Sequence, residues 1–153
     1  MTDQSFEFWR KWLIGANVMT IGVGLIAAFA GNSIFFELHN TYTQELFFQG
    51  QAISGDMLAL KNWLFGIIGG TIVGYHILMI FITVYPFKER QRWSWVALWT
   101  GLLSWFVIDS GISSFYGAYY NVYLINLVAL VLIGLPLLMT RKEFSISNSQ
   151  HPR

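Results

Sequence analysis

The sequence predicts an all-α fold, a four-transmembrane-helix bundle with both termini cytoplasmic, and three observations carry that prediction. Of 153 residues, 55% are hydrophobic and only 11% charged, a balance too apolar for a soluble domain of this size. Four apolar windows, about 12–30, 62–85, 93–115 and 120–139, are each long enough to cross roughly 30 Å of hydrocarbon as a helix. Finally, Arg10, Lys11, Lys88, Arg90, Arg92, Arg141, Lys142 and Arg153 fall on one side of those windows and only Lys61 on the other. Basic residues beside spans favour the cytoplasmic face, so the chain reads as a multi-pass protein of the plasma membrane, N-in and C-in.

The elements follow in order. Span one, 12–30, begins near the N-terminus but is long, Gly-rich and without a small-residue cleavage site, so it is expected to stay as a span rather than be removed as a signal peptide. The outer loop, 32–56, carries Phe35, Leu38, Tyr42 and Leu46 at helical spacing. It reads either as an amphipathic helix on the outer interface or as a plain loop. Asp56 is placed to cap span two, and Pro86 to end it before the basic turn KERQR, which makes spans two and three a tight antiparallel hairpin. Span four is expected to end near Pro136 and the RKE run, leaving residues 1–144 as one membrane domain and 145–153 as a flexible polar tail. Trp9, Trp12, Trp93 and Trp95 would mark the inner interface, and Trp63, Tyr116, Tyr119, Tyr120 and Tyr123 the outer one.

Packing signals are the glycines. Gly66, Gly70 and Gly74, four residues apart on span two, form a groove where another backbone can approach. Asn17, Thr20, Gly24, Ala28 and Gly31 share a face of span one and make the expected complement, so spans one and two should pack tightly. The other reading of the groove is a surface for a second copy, a lipid or a ligand.

The residue of greatest functional interest is Asp109, the one carboxylate inside an apolar span. Such a residue faces a partner, a cavity or a pathway, because leaving it in lipid costs several kcal/mol. With Gly101, Trp105, Ser113 and Gly117 it forms a stripe of four-residue spacing that should face inward. Counting about 1.5 Å per residue from the interfaces puts Asn126 at similar depth, and His76 about 9 Å deeper toward the cytoplasm. A candidate ligand or proton site therefore comprises Asp109, Trp105, Ser113 and Asn126, with His76 a separate intramembrane group. Each residue has a structural reading beside the functional one: Asp109 as a helix lock, His76 as an interhelical hydrogen-bond partner, Trp105 as filler.

Several classes of chemistry are not signalled. With no cysteine there is no disulfide or thiolate metal site. His39 with Glu37 and Glu45 is a weak metal pattern, lacking the two-His spacing of catalytic sites. No phosphate loop, nucleophile elbow or dinucleotide fingerprint occurs, so no catalytic set, cofactor or nucleic-acid partner is assigned.

The run YPFKERQRWSWVALW followed by SWFVIDSGISS resembles a pattern in a family of small four-span bacterial integral membrane proteins. There a Pro-Phe-basic turn precedes Trp-x-Trp, and the next helix carries Trp-Phe-x-x-Asp before an Asn-bearing span. Here these are Pro86, Phe87, Trp93, Trp95, Trp105, Phe106, Asp109, Ser110 and Asn126, in the second half of the chain. The resemblance implies a bacterial inner membrane and again singles out Asp109, but brings no activity. The leading expectation is thus a non-enzymatic membrane protein, forming oligomers, whose outer-half pocket binds or passes a small ligand or proton. The rival is an accessory or scaffold subunit of a larger membrane complex; a membrane enzyme using Asp109 or His76 comes third.

Overall fold

The computed structural model describes residues 1–145 and is all-helical. Four of its helical stretches are long and apolar enough to cross a membrane. The first is α1, Asp3–Ala30, followed by a single 3-10 turn, Ile34–Phe36, and by α2, Glu37–Phe48. Then come α3, Gly55–Val84, and α4, Arg92–Phe115. The last span is composite: a short turn α5, Tyr119–Asn121, a π-helical stretch Val122–Asn126, α6, Leu127–Thr140, and a 3-10 turn Arg141–Phe144. Apart from Ser145, the predicted polar tail lies outside the described residues.

Most contact joins α1 to α3, with α1 also packing on α6 and α4 on the composite span. The connection between α3 and α4 is short, as expected, but the two helices touch only slightly. The bundle interior is thus organised around α1. Its Asn17 and Gly24 are buried, as predicted, and Gly24 lies against Gly69 and Ile72. The α3 partner is not the predicted groove. Gly69 makes the close approach to Gly24 and Ala28, whereas a side chain at Gly66, Gly70 or Gly74 would meet nothing within 4 Å. One residue of offset turns a helix by about 100°, so the four-residue glycine ladder faces outward while α3 packs through Gly69, His76, Met79 and Thr83.

The N-terminus meets the last described helical turn at one end of the bundle, where the Met1 ammonium lies 3.2 Å from Glu143. Phe6, Phe87 and Phe144 form an aromatic knot there, with centroid separations of 5.7, 6.1 and 4.6 Å. Arg90, in the left-handed region at φ 57°, closes the knot. Its guanidinium stands 4.4 Å over the Phe6 ring and bonds Glu143 at 2.9 Å and Asp3 at 2.5 Å. The basic turn counted toward the cytoplasmic side is therefore partly engaged in an internal brace between α1, the α3–α4 turn and the last described helical turn.

Pro136 does not end the last span but sits inside α6. Lacking an N–H, it leaves the Leu132 carbonyl without its usual helical donor. The Trp12 indole N–H supplies one from α1 at 3.0 Å. Near the end of α6, where carbonyls lose their helical partners, Trp95 Nε1 donates to Leu137 O at 2.8 Å. Two tryptophans predicted as interface markers are thus also fasteners of the last helix. At the start of α3, Ser54 occupies the capping position without a side-chain bond, and Asp56 lies in the first turn, where its charge complements the helix dipole instead of capping it.

Candidate functional site

Asp109 lies on α4, half-buried, facing the composite span. Its Oδ1 accepts three hydrogen bonds: from Asn126 Nδ2 at 2.8 Å, Asn121 Nδ2 at 2.8 Å and Ser113 Oγ at 3.2 Å. The two amides extend the cluster, since Asn126 Nδ2 also donates to Ser110 Oγ and Asn121 Nδ2 to Ser113 Oγ. With its amino group so committed, Asn126 leaves Oδ1 buried and without a partner. The structure therefore brings together Asp109, Ser113 and Asn126 from the predicted set. Trp105 instead packs against the apolar core between the helices.

Asn121 was missed, and Ser110 was named only within the resembled motif and not in the candidate site. Asn121 sits at the boundary where the loop gives way to the π stretch, and the wider π turn presents both Asn121 and Asn126, five residues apart, to the same carboxylate. A regular helix would place them about 140° apart, so a reading at normal helical pitch picks out only one.

His76 belongs to a different contact. Its Nδ1 lies 2.7 Å from Asn17 Oδ1, and Asn17 Nδ2 is taken by the Leu13 carbonyl at 2.7 Å. Asn17 Oδ1 is then the acceptor and the His76 Nδ1–H the donor. This bond crosses from α3 to α1 beside the Gly69 contact. Among the described residues, no hydrogen bond links His76 to the Asp109 cluster.

At the far end of the bundle, α2 forms a platform over these spans. Phe35, Leu38, Tyr42 and Leu46 all remain exposed, the apolar stripe expected of a helix lying on a membrane surface. Its inner face is fixed through Tyr120, whose hydroxyl is 2.8 Å from Thr43 Oγ1 and whose ring stacks on Tyr42. His39 is boxed by Phe36, Phe65 and Tyr120. That burial, helped by the nearby Lys61 charge, holds its imidazole below the usual histidine range. These contacts make His39 part of an aromatic mount rather than of a set with Glu37 and Glu45. Since Tyr120 immediately precedes Asn121, the platform and the Asp109 cluster share one short stretch of chain.

Two depressions open at this end. A smaller one of about 240 Å³ lies between the end of α1 and Phe65. The larger, of about 620 Å³, lies between the 3-10 turn, α2 and the start of α3. Asp109 lines neither. The larger depression is lined by Ser33, Glu37, Asn40, Gln44 and Lys61, among others, and its walls contain two buried polar atoms without partners, Ser33 Oγ and Asn40 Oδ1. Asn40 Nδ2 donates to the Gly31 carbonyl at 2.9 Å, which fixes the amide so that Oδ1 is the atom left over. Lys61 is tethered to Asn32 Oδ1 at 2.6 Å, and Asn32 Nδ2 to Asn62 at 2.8 Å. No pattern in the sequence gathers these residues, because they come from three segments joined only by folding. Comparison with protein-family models, curated proteins and solved structures finds no match to the chain.

Proposed function

We propose that this is a non-enzymatic multi-pass protein of a bacterial inner membrane, both termini cytoplasmic, that binds a small polar ligand at its outer face. The observation that carries the reading is a depression of about 620 Å³ lined by Lys61 and by Glu37, whose carboxylate has no ion-pair partner among the described residues. A few convergent polar and charged groups in one concave site are what fixes a small ligand's orientation. A volume in the range of about 300–1,000 Å³ suits a small-molecule site. The binding role expected in the outer half of the protein is thereby moved from Asp109 to the depression beneath α2. Asp109, with three donors from its neighbours on one oxygen, takes the part of a lock between α4 and the last span.

The absence of native cysteine makes the test clean. An Ile34→Cys variant, at an exposed position in the lining of the depression, should react in intact cells with a membrane-impermeant maleimide added outside. A folded variant that stays unreactive from outside, or reacts only from the cytoplasmic side, overturns the reading.

A second reading, an accessory subunit of a membrane assembly or a homo-oligomer, is favoured by one feature. The Gly66–Gly70–Gly74 ladder faces away from the bundle with open space above it, as helix-docking surfaces in bilayers do. Gly70→Leu would then change the assembly state and leave the monomer's stability intact.

A further inference from the structure

We propose that the end of the bundle where the α3–α4 turn meets the last described helical turn is a docking surface for anionic phospholipid headgroups. The basis is the way charges at this end divide into engaged acids and bare cations.

Among the described residues, every carboxylate at this end has a partner. Asp3 is held by Arg90, Glu143 by Arg90 and the Met1 ammonium, and Glu7 by Arg10 at 2.7 Å. Glu89 accepts from the Gln91 amide at 2.6 Å. The cations divide differently. Arg10 and Arg90 serve those acids, whereas the side chains of Lys11, Lys88, Arg92, Arg141 and Lys142 are exposed and make no ion pair or hydrogen bond with any described residue. Lys11 and Lys88 stand within electrostatic range of Glu7, but Arg10 already occupies that carboxylate.

Packing gathers these cations and removes the acid that could answer them. Phe87 and Phe144 lie 4.6 Å apart and Arg90 bonds Glu143 at 2.9 Å, so the turn bearing Lys88 and Arg92 is held against the turn bearing Arg141 and Lys142. Glu143 follows those last two in sequence, yet its side chain is 13% exposed and committed to the brace. The surplus is left to an outside anion.

Depth selects which anion. Phe8, Trp12, Tyr85 and Trp93 remain exposed at the same end, and aromatic side chains of this kind sit at the headgroup level of a bilayer. Lys11 adjoins Trp12 and Arg92 adjoins Trp93, which puts their charges within snorkelling reach of lipid phosphates. The bare cations also lie on α1, the α3–α4 turn, the start of α4 and the last turn. A spread of that sort suits several small headgroups around a rim better than one acidic protein. Each Lys or Arg close to an anionic surface favours it by about fivefold, and a zwitterionic headgroup has no net charge to supply that gain.

The test reconstitutes the full chain into phosphatidylcholine vesicles carrying a trace of pyrene-labelled phosphatidylglycerol or pyrene-labelled phosphatidylcholine, and reads energy transfer from tryptophan to pyrene. The glycerol lipid should be enriched around the protein by about fivefold or more at about 0.1 M salt. That enrichment should vanish at about 1 M, where the screening length is about 3 Å. Replacing Lys88, Arg92, Arg141 and Lys142 together by glutamine should abolish it, while the charge-keeping set Lys88→Arg, Arg92→Lys, Arg141→Lys and Lys142→Arg should retain it. Circular dichroism checks each fold, and the salt series on the wild type decides the matter should the glutamine set not fold. Equal transfer to the two lipids, or a preference that persists in high salt or in the folded glutamine set, overturns the proposal. If a polyglutamate peptide binds the wild type in detergent while the two lipids stay equal, the occupant is an acidic protein and the lipid assignment has failed.

Discussion

Alanine placed at Gly69 and at Gly70 should act with opposite sign, although the two positions are adjacent and equally apolar. At Gly69 a new Cβ would lie 2.8 Å from both Ala28 Cβ and Ala28 N, and would press on the Gly24 carbonyl oxygen. Comfortable carbon contacts begin at about 3.5 Å, so α1 and α3 must part by roughly 1 Å or tilt. Overpacking of this kind costs about 1–3 kcal/mol. The displacement would also strain the neighbouring bond from His76 to Asn17. At Gly70 nothing lies within 4 Å of the added methyl. Only helix propensity acts there, favouring alanine by about 1 kcal/mol. The two variants should therefore differ by about 2–4 kcal/mol in unfolding by sodium dodecyl sulfate from mild-detergent micelles, followed by circular dichroism. Equal destabilisation, or greater loss at Gly70, would show that α1 packs on the glycine ladder and that the α1–α3 interface drawn here is wrong.

Three further outcomes are expected. Trp12→Phe should cost about 1–2 kcal/mol by stranding the Leu132 carbonyl, and almost nothing in a Pro136→Ala background, where residue 136 regains an N–H; equal losses in a double-mutant cycle would deny that link. Asp109→Leu, which takes the acceptor from Asn121, Asn126 and Ser113, should destabilise by about 2–3 kcal/mol, with Asp109→Asn, which keeps one carbonyl oxygen, near 1 or below; a matching loss in both would mean the charge rather than the hydrogen-bond lock matters. Because the half-buried His39 is held below its ordinary value of 6.5, the unfolded chain gains a proton near pH 6.5 that the folded chain resists. Its contribution to stability is full above that pH and shrinks as pH falls toward the lower folded value, so His39→Gln should flatten the stability curve between about pH 7 and 5; an unchanged slope would refute this.

The spans were legible because hydrophobic length is a property of composition, and the α2 platform because Phe35, Leu38, Tyr42 and Leu46 keep helical spacing. Packing faces were only half legible. Gly24 was correctly placed on the buried side of α1, but a ladder such as Gly66–Gly70–Gly74 looks the same whether it meets a helix or lipid, and the lone Gly69 beside it gave no pattern. Asp109 stood out because ionisable groups are rare in spans, and Ser113 and Asn126 followed from pitch and depth. Asn121 did not, since a π-helical stretch breaks the pitch on which such counting relies. The depression beneath α2 was invisible to sequence, for Glu37, Asn40 and Lys61 share no spacing and meet only once the chain has folded. Pro136 was read as a stop because its missing donor is costly in isolation, and a tryptophan 124 positions earlier in the chain meets that need.

The central claim divides the polar residues in two: Asp109 and its neighbours hold helices together, and the depression beneath α2 binds. The most direct measurement is an experimental structure of the full chain purified from its native membrane. The account predicts non-protein density in the depression between Glu37 and Lys61, and a closed hydrogen-bonded contact at Asp109. Density or a water-filled opening at Asp109 with the depression empty would contradict it and return the site to the interior of the bundle.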